Sequence, residues 1–332
     1  VRILVLRALG LGDLLTAVPA LRGLRAAFPE AEITLAAPAW LEDAVARIEA
    51  VDRLLPTAEL GPIDFHRPDL AVNLHGRGPQ SVERLLATEP RRLITYAERG
   101  SWDERVTAVE WPAERHEVLR WCELLQRHGI ACDVEDFRLA PVGEREGPVV
   151  IHPGASTGAR RWPVERYAAV ARGIGAEVVV TAGPGEGELA QQVVAGAEDV
   201  AEDGPGRADE AGAGGLDSGP DAAQPGPTVF SGTLAELLDL VATARLVICG
   251  DTGVAHVATA YRTPSVLLFG PVPPDLWGPR RGPHQVLWHG RTGDTFADDP
   301  DPGLLEITVA EVLDAAGGVL CGSESSAPVT SG

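Results

Sequence analysis

The first apolar run, Ile3-Leu4-Val5-Leu6, is short and unbroken, the pattern of a buried strand. It runs into a Gly-rich turn, Leu9-Gly10-Leu11-Gly12-Asp13. Leu14, Val18, Leu21, Leu24 and Phe28 then follow at helical spacing, with Pro19 predicting a kink. Residues 32–36 predict a second strand and 41–48 a second helix. Leu70-Ala71-Val72-Asn73-Leu74 is another buried strand, ending at His75-Gly76-Arg77-Gly78, and 116–128 predicts a long helix. The stretch 140–148 is rich in Pro, Gly and charge and reads as a linker. The alternation then restarts, with strands at 149–151, 177–181, 245–249 and 265–269. The helices of this half are expected at 163–173, 186–195, 234–242, 253–261 and 308–316. Alternating strand and helix implies mostly parallel α/β sheets. The expectation is two halves of similar size facing one cleft: 1–140, a linker at 141–147, and 148–316. A frayed tail is expected from Gly317.

Composition narrows the chemistry. The 332 residues include 28 basic ones, all of them Arg. Without Lys there is no Walker phosphate loop and no Schiff-base chemistry. The net charge of −20 argues against a nucleic-acid partner. Residues 196–227 carry eight acids and one Arg, so −7 of that total, in a low-complexity stretch read as a disordered surface insertion. The four cysteines show no CxxC spacing. No apolar run approaches the ~18 residues of a membrane span, and the expected location is cytoplasmic.

Three loops carry candidate chemistry. Gly250-Asp251-Thr252-Gly253-Val254-Ala255-His256 lies between a buried strand and a helix. There the amides of Thr252, Gly253 and Val254 form a ready anion site. The bland alternative is that Asp251 or Thr252 only caps the helix and His256 only packs in the core. The second loop runs from His152 to Pro163. It offers Ser156 and Thr157 hydroxyls and the Arg160–Arg161 pair, whose forks suit phosphate, against the alternative of a solvated surface pair. The third, Gly10-Leu11-Gly12-Asp13, is half of a dinucleotide fingerprint, with Leu15 where a third Gly belongs. Asp13 reads either as a carboxylate base facing the cleft or as a helix cap. Asp299-Pro300-Asp301 spells a DxD, but in an acidic, Pro-rich stretch expected to be a solvated loop; no metal site is expected.

In combination, LRALGLGDLLTAVPALRGLRAAFP, HPGASTGARRWPVERYAAVA and GDTGVAHVATAYRTPSVLLFGPVPPDLWGP resemble glycosyltransferase family 9, best known for ADP-heptose:lipopolysaccharide heptosyltransferases. The resemblance spans residue 1 to about 316, apart from the insertion. It implies the GT-B fold, two Rossmann-like domains facing a central cleft, with acceptor on the first and nucleotide sugar on the second. It also implies inversion at the anomeric carbon, no cofactor and no metal. By position, Asp13 matches the family's base, and Ser156 and Thr157 match hydroxyls near the donor phosphates. Arg160 stands where the heptosyltransferases place a phosphate-binding Lys, a change of geometry at constant charge. Glu186 is matched to a ribose-holding Glu, with Glu188 as competitor. Asp251, Thr252, Gly253, Val254 and His256 match the donor loop. Gly12, His75, Arg77 and Gln80 fall on the acceptor side. The implied donor is ADP-heptose or another nucleotide-diphosphate sugar. The acceptor is a lipopolysaccharide core, an envelope glycan or a natural product. A non-catalytic nucleotide-binding module and a dinucleotide-dependent oxidoreductase are the alternatives.

Overall fold

The structure, a computed structural model, describes residues 1–97, 103–140, 142–198 and 226–324. The acidic insertion falls almost wholly outside the described residues. Among the described residues, twelve strands form two sheets of six. The first contains β1 (Arg2–Leu6), β2 (Glu32–Ala37), β3 (Arg53–Pro56), β4 (Leu70–Asn73), β5 (Leu93–Tyr96) and β6 (Val106–Val109). The second contains β7 (Gly147–His152), β8 (Val178–Val180), β9 (Thr228–Val229), β10 (Ala244–Gly250), β11 (Ser265–Leu268) and β12 (His284–Leu287).

Their orders are β3-β2-β1-β4-β5-β6 and β12-β11-β10-β7-β8-β9, with every pairing parallel. Numbered within its own half, the second sheet repeats the order of the first. In each, the chain reverses its direction of build next to the opening strand: between β1 and β4, and between β7 and β10. A doubly wound sheet binds ligands beyond the carboxyl ends of the strands at such a point. The segments after β1, β4, β7 and β10 hold the candidate residues, apart from Glu186 and Glu188, which follow β8.

The central strands are legible because both faces are buried: Ile3, Leu4, Val5 and Leu6 are fully enclosed, as are Leu246, Val247, Ile248 and Cys249. The first helical stretch is broken in two, Leu11–Thr16 and Val18–Ala27, at Ala17. Pro19 sits in the first turn of the second piece, where its missing N–H breaks no bond. This break lets Leu11–Thr16 turn toward the other half and pack on the helix Gly253–Tyr261. One apolar cluster therefore runs through both halves, joining Leu11, Leu14 and Leu15 to Val254, Ala255, Val257 and Ala258. A second bridge is polar: Arg47 donates to Asp239 Oδ1 at 2.6 Å and Tyr261 Oη at 2.9 Å.

The last helix corrects the expected fraying at Gly317. It spans Val309–Glu324, through Gly317 and Gly318, because Val319 and Leu320 still pack against the core of the second sheet.

Candidate active site

The loop after β1 presents Asp13 in the helix Leu11–Thr16. Its carboxylate is 29% exposed. Oδ2 accepts the Gly10 N–H at 3.3 Å, and Oδ1 faces Arg7 Nη2 at 3.3 Å. Gly12 has no room for a side chain, since a Cβ there would stand 2.7 Å from His256 Cδ2. Across the contact, a Cβ on Gly253 would meet Leu11 Cβ at 3.3 Å. Two glycines thus let the N-terminal turns of helices from opposite halves touch. His256 is held below its ordinary range first by burial, opposed by the charges of Asp251 and then Asp13. The ring therefore feels carboxylates from both halves, Asp251 from the second and Asp13 and Glu117 from the first, and also meets the Trp277 ring edge-on, 6.0 Å between centroids.

The turn after β4 is fixed by buried Asn73. Its amide reaches Ser81 Oγ and Thr95 Oγ1 at 2.9 Å, and its oxygen accepts the His75 N–H at 3.1 Å. His75 Nδ1 is buried without a hydrogen-bond partner. Burial, then Arg7, push the His75 pKa down and Asp13 pushes it back up, so His75 senses the same charges as Asp13. Arg77 is exposed, its guanidinium 5.8 Å from the Trp111 ring centroid. Gln80 is exposed on the first turn of the helix Pro79–Leu86.

After β10, Asp251 is 6% exposed. Thr252 precedes the helix Gly253–Tyr261 with extended backbone, and its side chain caps no amide. The capping alternative for this loop is thereby set aside. Asp251 Oδ2 lies 3.5 Å from Arg160 Nη1, yet it and Arg160 Nε are both buried without a hydrogen-bond partner. Buried polar atoms are normally satisfied, and an unpartnered pair beside a helix N-terminus suits a polar ligand.

After β7, the two arginines diverge. Arg160 turns to Asp251, whereas Arg161 ties its own loop together through Ala155 O at 3.0 Å and Glu186 Oε1 at 3.3 Å. Glu186 also accepts Ala155 N–H at 3.0 Å and Gly183 N–H at 3.1 Å. It lies so close to Gly154 that a Cβ there would be 1.9 Å from Oε2. Glu188 is exposed and, among the described residues, accepts from the Gln192 side chain at 3.5 Å, so of the two glutamates Glu186 is the one brought to the loop. Ser156 is exposed at the tip. Thr157 Oγ1 donates to Thr295 O at 2.7 Å.

That last bond belongs to a feature the sequence misses. The segment around 293–301 is clamped onto this loop: Ala159 N–H reaches Ala297 O at 2.9 Å and Asp301 N–H reaches Ala159 O at 3.1 Å. The expectation of a solvated DxD is corrected at Asp301. It is 7% exposed and caps the helix Pro302–Glu306, Oδ1 accepting Gly303 and Leu304 N–H at 2.8 and 3.3 Å; Asp299 is exposed.

Sequence reading also passes over Arg7 and Glu117, which form a buried ion pair at 3.0 Å behind Asp13. The signal present is a charged residue at the end of an apolar strand, immediately before the Gly-rich turn.

His152, which opens the loop after β7, is buried, with Nδ1 3.0 Å from Thr181 Oγ1, and burial pushes its pKa down from 6.5 to about 4. The unfolded imidazole takes up a proton near pH 6.5; the folded one resists until about pH 4. Stability should therefore be full above that window and fall as pH drops through it, by about 1.4 kcal/mol per pH unit from this group. Melting temperatures from pH 7 to pH 4.5 check this. His152→Asn should flatten the acid dependence; an unchanged slope would remove His152 as its source.

Two parallel six-stranded sheets of the same order, meeting where the helices Leu11–Thr16 and Gly253–Tyr261 touch, define the GT-B fold. The chain is 26% identical to lipopolysaccharide heptosyltransferase 2 of Salmonella typhimurium over 94% of this chain and 97% of that one. It is equally identical to the Escherichia coli protein of the same name, over 98% and 100%. Residues 231–296 match the family described as glycosyltransferase family 9 (heptosyltransferase). Among solved structures, ADP-heptose lps heptosyltransferase II of Escherichia coli superposes with a TM-score of 0.73 at 21% identity, covering 98% of this chain and all of that one. A glycosyltransferase family 9 structure from Veillonella parvula gives 0.72 at 20%, covering 97% of each. An Escherichia coli heptosyltransferase solved with ADP gives 0.64 at 17%, covering 98% and 100%. Sequence similarity over the whole chain and the family pattern at 231–296 make this chain similar to the heptosyltransferases of glycosyltransferase family 9. Among the described residues no helix is long and apolar enough to cross a membrane.

Proposed function

We propose that this chain transfers a heptosyl unit from ADP-heptose to a hydroxyl of a lipopolysaccharide core, with inversion and without a metal ion. The observation that carries the reading is the contact of Gly12 with His256 and of Gly253 with Leu11, which sets Asp13 of the first half against the Asp251–Arg160 loop pair of the second. The names of the relatives supply donor and acceptor: the structures matched include an ADP-heptose lps heptosyltransferase and a heptosyltransferase with ADP bound.

In this reading residues 1–140 present the acceptor and 148–316 hold the donor, with transfer in the cytoplasm. Asp13 is the base. It takes the proton of the acceptor hydroxyl as that oxygen attacks the anomeric carbon, and the bond to the diphosphate breaks on the opposite face. Arg160, the Ser156 and Thr157 hydroxyls and the amides of 252–254 stabilise the charge that develops on the leaving ADP. Their positive potential takes the place of a divalent ion. Glu186 braces the donor loop and lies where the ribose would be held. His75, Arg77 and Gln80 line the acceptor side. A binding module without transfer has no use for a partly exposed carboxylate at the meeting point of both halves. Half a dinucleotide fingerprint is equally poor support for an oxidoreductase.

The test is a calorimetric titration of the full-length protein with ADP, in excess chelator and again with magnesium, with UDP as control. ADP should bind with the same affinity in both conditions. Binding that appears only with magnesium would contradict the metal-free reading.

A further inference from the structure

Behind Asp13 lies a cluster of charges that no step above uses. Arg7, at the end of β1, has a side chain fully removed from solvent. Its Nε donates to the Asp13 carbonyl at 2.9 Å, and Nη1 donates to the carbonyl of Leu74, the residue before His75. Nη2 faces Thr16 Oγ1 at 3.2 Å, Asp13 Oδ1 at 3.3 Å and Glu117 Oε1 at 3.0 Å. Glu117 comes from the helix Glu117–Gln126, far away in sequence, and its side chain is only 5% exposed. Its Oε1 also accepts the Trp121 indole N–H at 2.8 Å, and Oε2 pairs with Arg120. The Arg7 guanidinium rests 4.8 Å from the Trp121 ring centroid.

Taking a guanidinium and a carboxylate out of water is costly, and such pairs add little net stability. A device of this kind directly behind a partly exposed carboxylate calls for a role at that carboxylate. Arg7 holds the backbone of Asp13 and touches one oxygen of its side chain. Without Glu117 the charge of the buried guanidinium would fall on Asp13 alone and make it a poorer proton acceptor. Glu117 takes up that charge from the other side. Asp13 then meets Arg7 through a single nitrogen at 3.3 Å, with Oδ2 turned toward the Gly10 amide.

We infer that Glu117 is a positioning residue for the transfer reaction: through Arg7 it orients Asp13 and keeps Arg7 from neutralising it. This rests on the reading of Asp13 as the base.

The experiment is a double-mutant cycle on the full-length protein, measuring ADP release from ADP-heptose with heptose-truncated lipopolysaccharide as acceptor, beside ADP affinity by titration. Glu117→Gln keeps the shape and the acceptor for Trp121. It should lower kcat about ten- to a hundred-fold, the usual range for a group that orients a reactive one, with ADP affinity within about twofold. Glu117→Asp should recover most of that loss. In an Asp13→Asn background Glu117→Gln should cost nothing further, because the group it acts through is gone. A wild-type kcat in Glu117→Gln, a loss that multiplies with that of Asp13→Asn, or a parallel fall in ADP affinity would each overturn the inference. If Glu117→Gln fails to fold, Arg7→Lys and Glu117→Asp carry the same cycle, charge kept and fork altered, with the same non-additivity expected. Wild-type turnover in Asp13→Asn alone would instead overturn the base reading, and this inference with it.

Discussion

Asp13→Asn should lower the rate of sugar transfer about 10²–10⁴-fold, the usual cost of losing a general base. The fold should survive. Asp13 is the third residue of its helix, whose N-cap is Gly10, and an Asn oxygen can still accept the Gly10 N–H that Asp13 Oδ2 accepts at 3.3 Å. Arg7 is buried but keeps Glu117 as its counter-charge at 3.0 Å, so loss of the Asp13 charge does not leave it unpaired. The donor lies against the other half, so ADP affinity should be nearly unchanged. Steady-state ADP release, a thermal melt and an ADP titration on the same preparation check the three parts together. A wild-type rate would make Asp13 a cap and move the base to His75, whose unpartnered Nδ1 is the nearest alternative. Unfolding would make Asp13 structural.

Arg160→Ala should show a different pattern, with donor affinity and turnover falling together. Its Nε is buried without a partner and its Nη1 is 3.5 Å from Asp251, so the guanidinium is held in place but not satisfied within the protein. Hydrogen bonds to a charged group are each worth about 1.5–3 kcal/mol, which corresponds to roughly ten- to a hundred-fold in the dissociation constant of ADP. The charge on the diphosphate grows as the sugar leaves, so kcat should fall as well. Arg161→Ala is the control. Arg161 binds Ala155 O and Glu186 and so braces the loop without facing Asp251; its removal should affect stability more than affinity. An Arg160→Ala protein that binds ADP as the wild type does would remove Arg160 from the donor site.

Much of this was legible along the chain, and the reason is physical. β1, β4, β7 and β10 are enclosed by helices, so they read as apolar runs, and each ends in a turn whose Gly or small residues mark a loop. Those four strands frame the two switch points, and finding them located Asp13, His75, the 152–160 loop and Asp251. The pattern along the chain does not reveal the outer strands, nor β5, a four-residue inner strand that is fully buried but too short to stand out. β6 and β9 are largely exposed, β3 starts with Arg53 and ends with Pro56, and β12 is only partly buried; none carries a pattern that separates it from a loop.

Pairings across long sequence distances were equally silent. Nothing in the neighbourhood of Glu117 announces Arg7, since only the packing of the distant helix Glu117–Gln126 against β5 and the helix Val18–Ala27 brings them together. Asp301 looked like half of a DxD because two acids two apart are indistinguishable from a cap until Gly303 and Leu304 are seen to donate to it. Gly317-Gly318 reads locally as a stop, but Val319 and Leu320 find apolar partners, and packing outweighs a propensity cost of about 1 kcal/mol per glycine.

The central claim is transfer itself, and the most direct measurement is of its product. Full-length protein is mixed with ADP-heptose and heptose-truncated lipopolysaccharide in excess chelator. The acceptor is then analysed by mass spectrometry and the new linkage by NMR. The acceptor should become heavier by one heptosyl unit, joined with the anomeric configuration opposite to that of the donor, and Asp13→Asn should form this product about 10²–10⁴-fold more slowly. A donor that binds but stays intact, or a linkage formed with retention, would contradict the central claim.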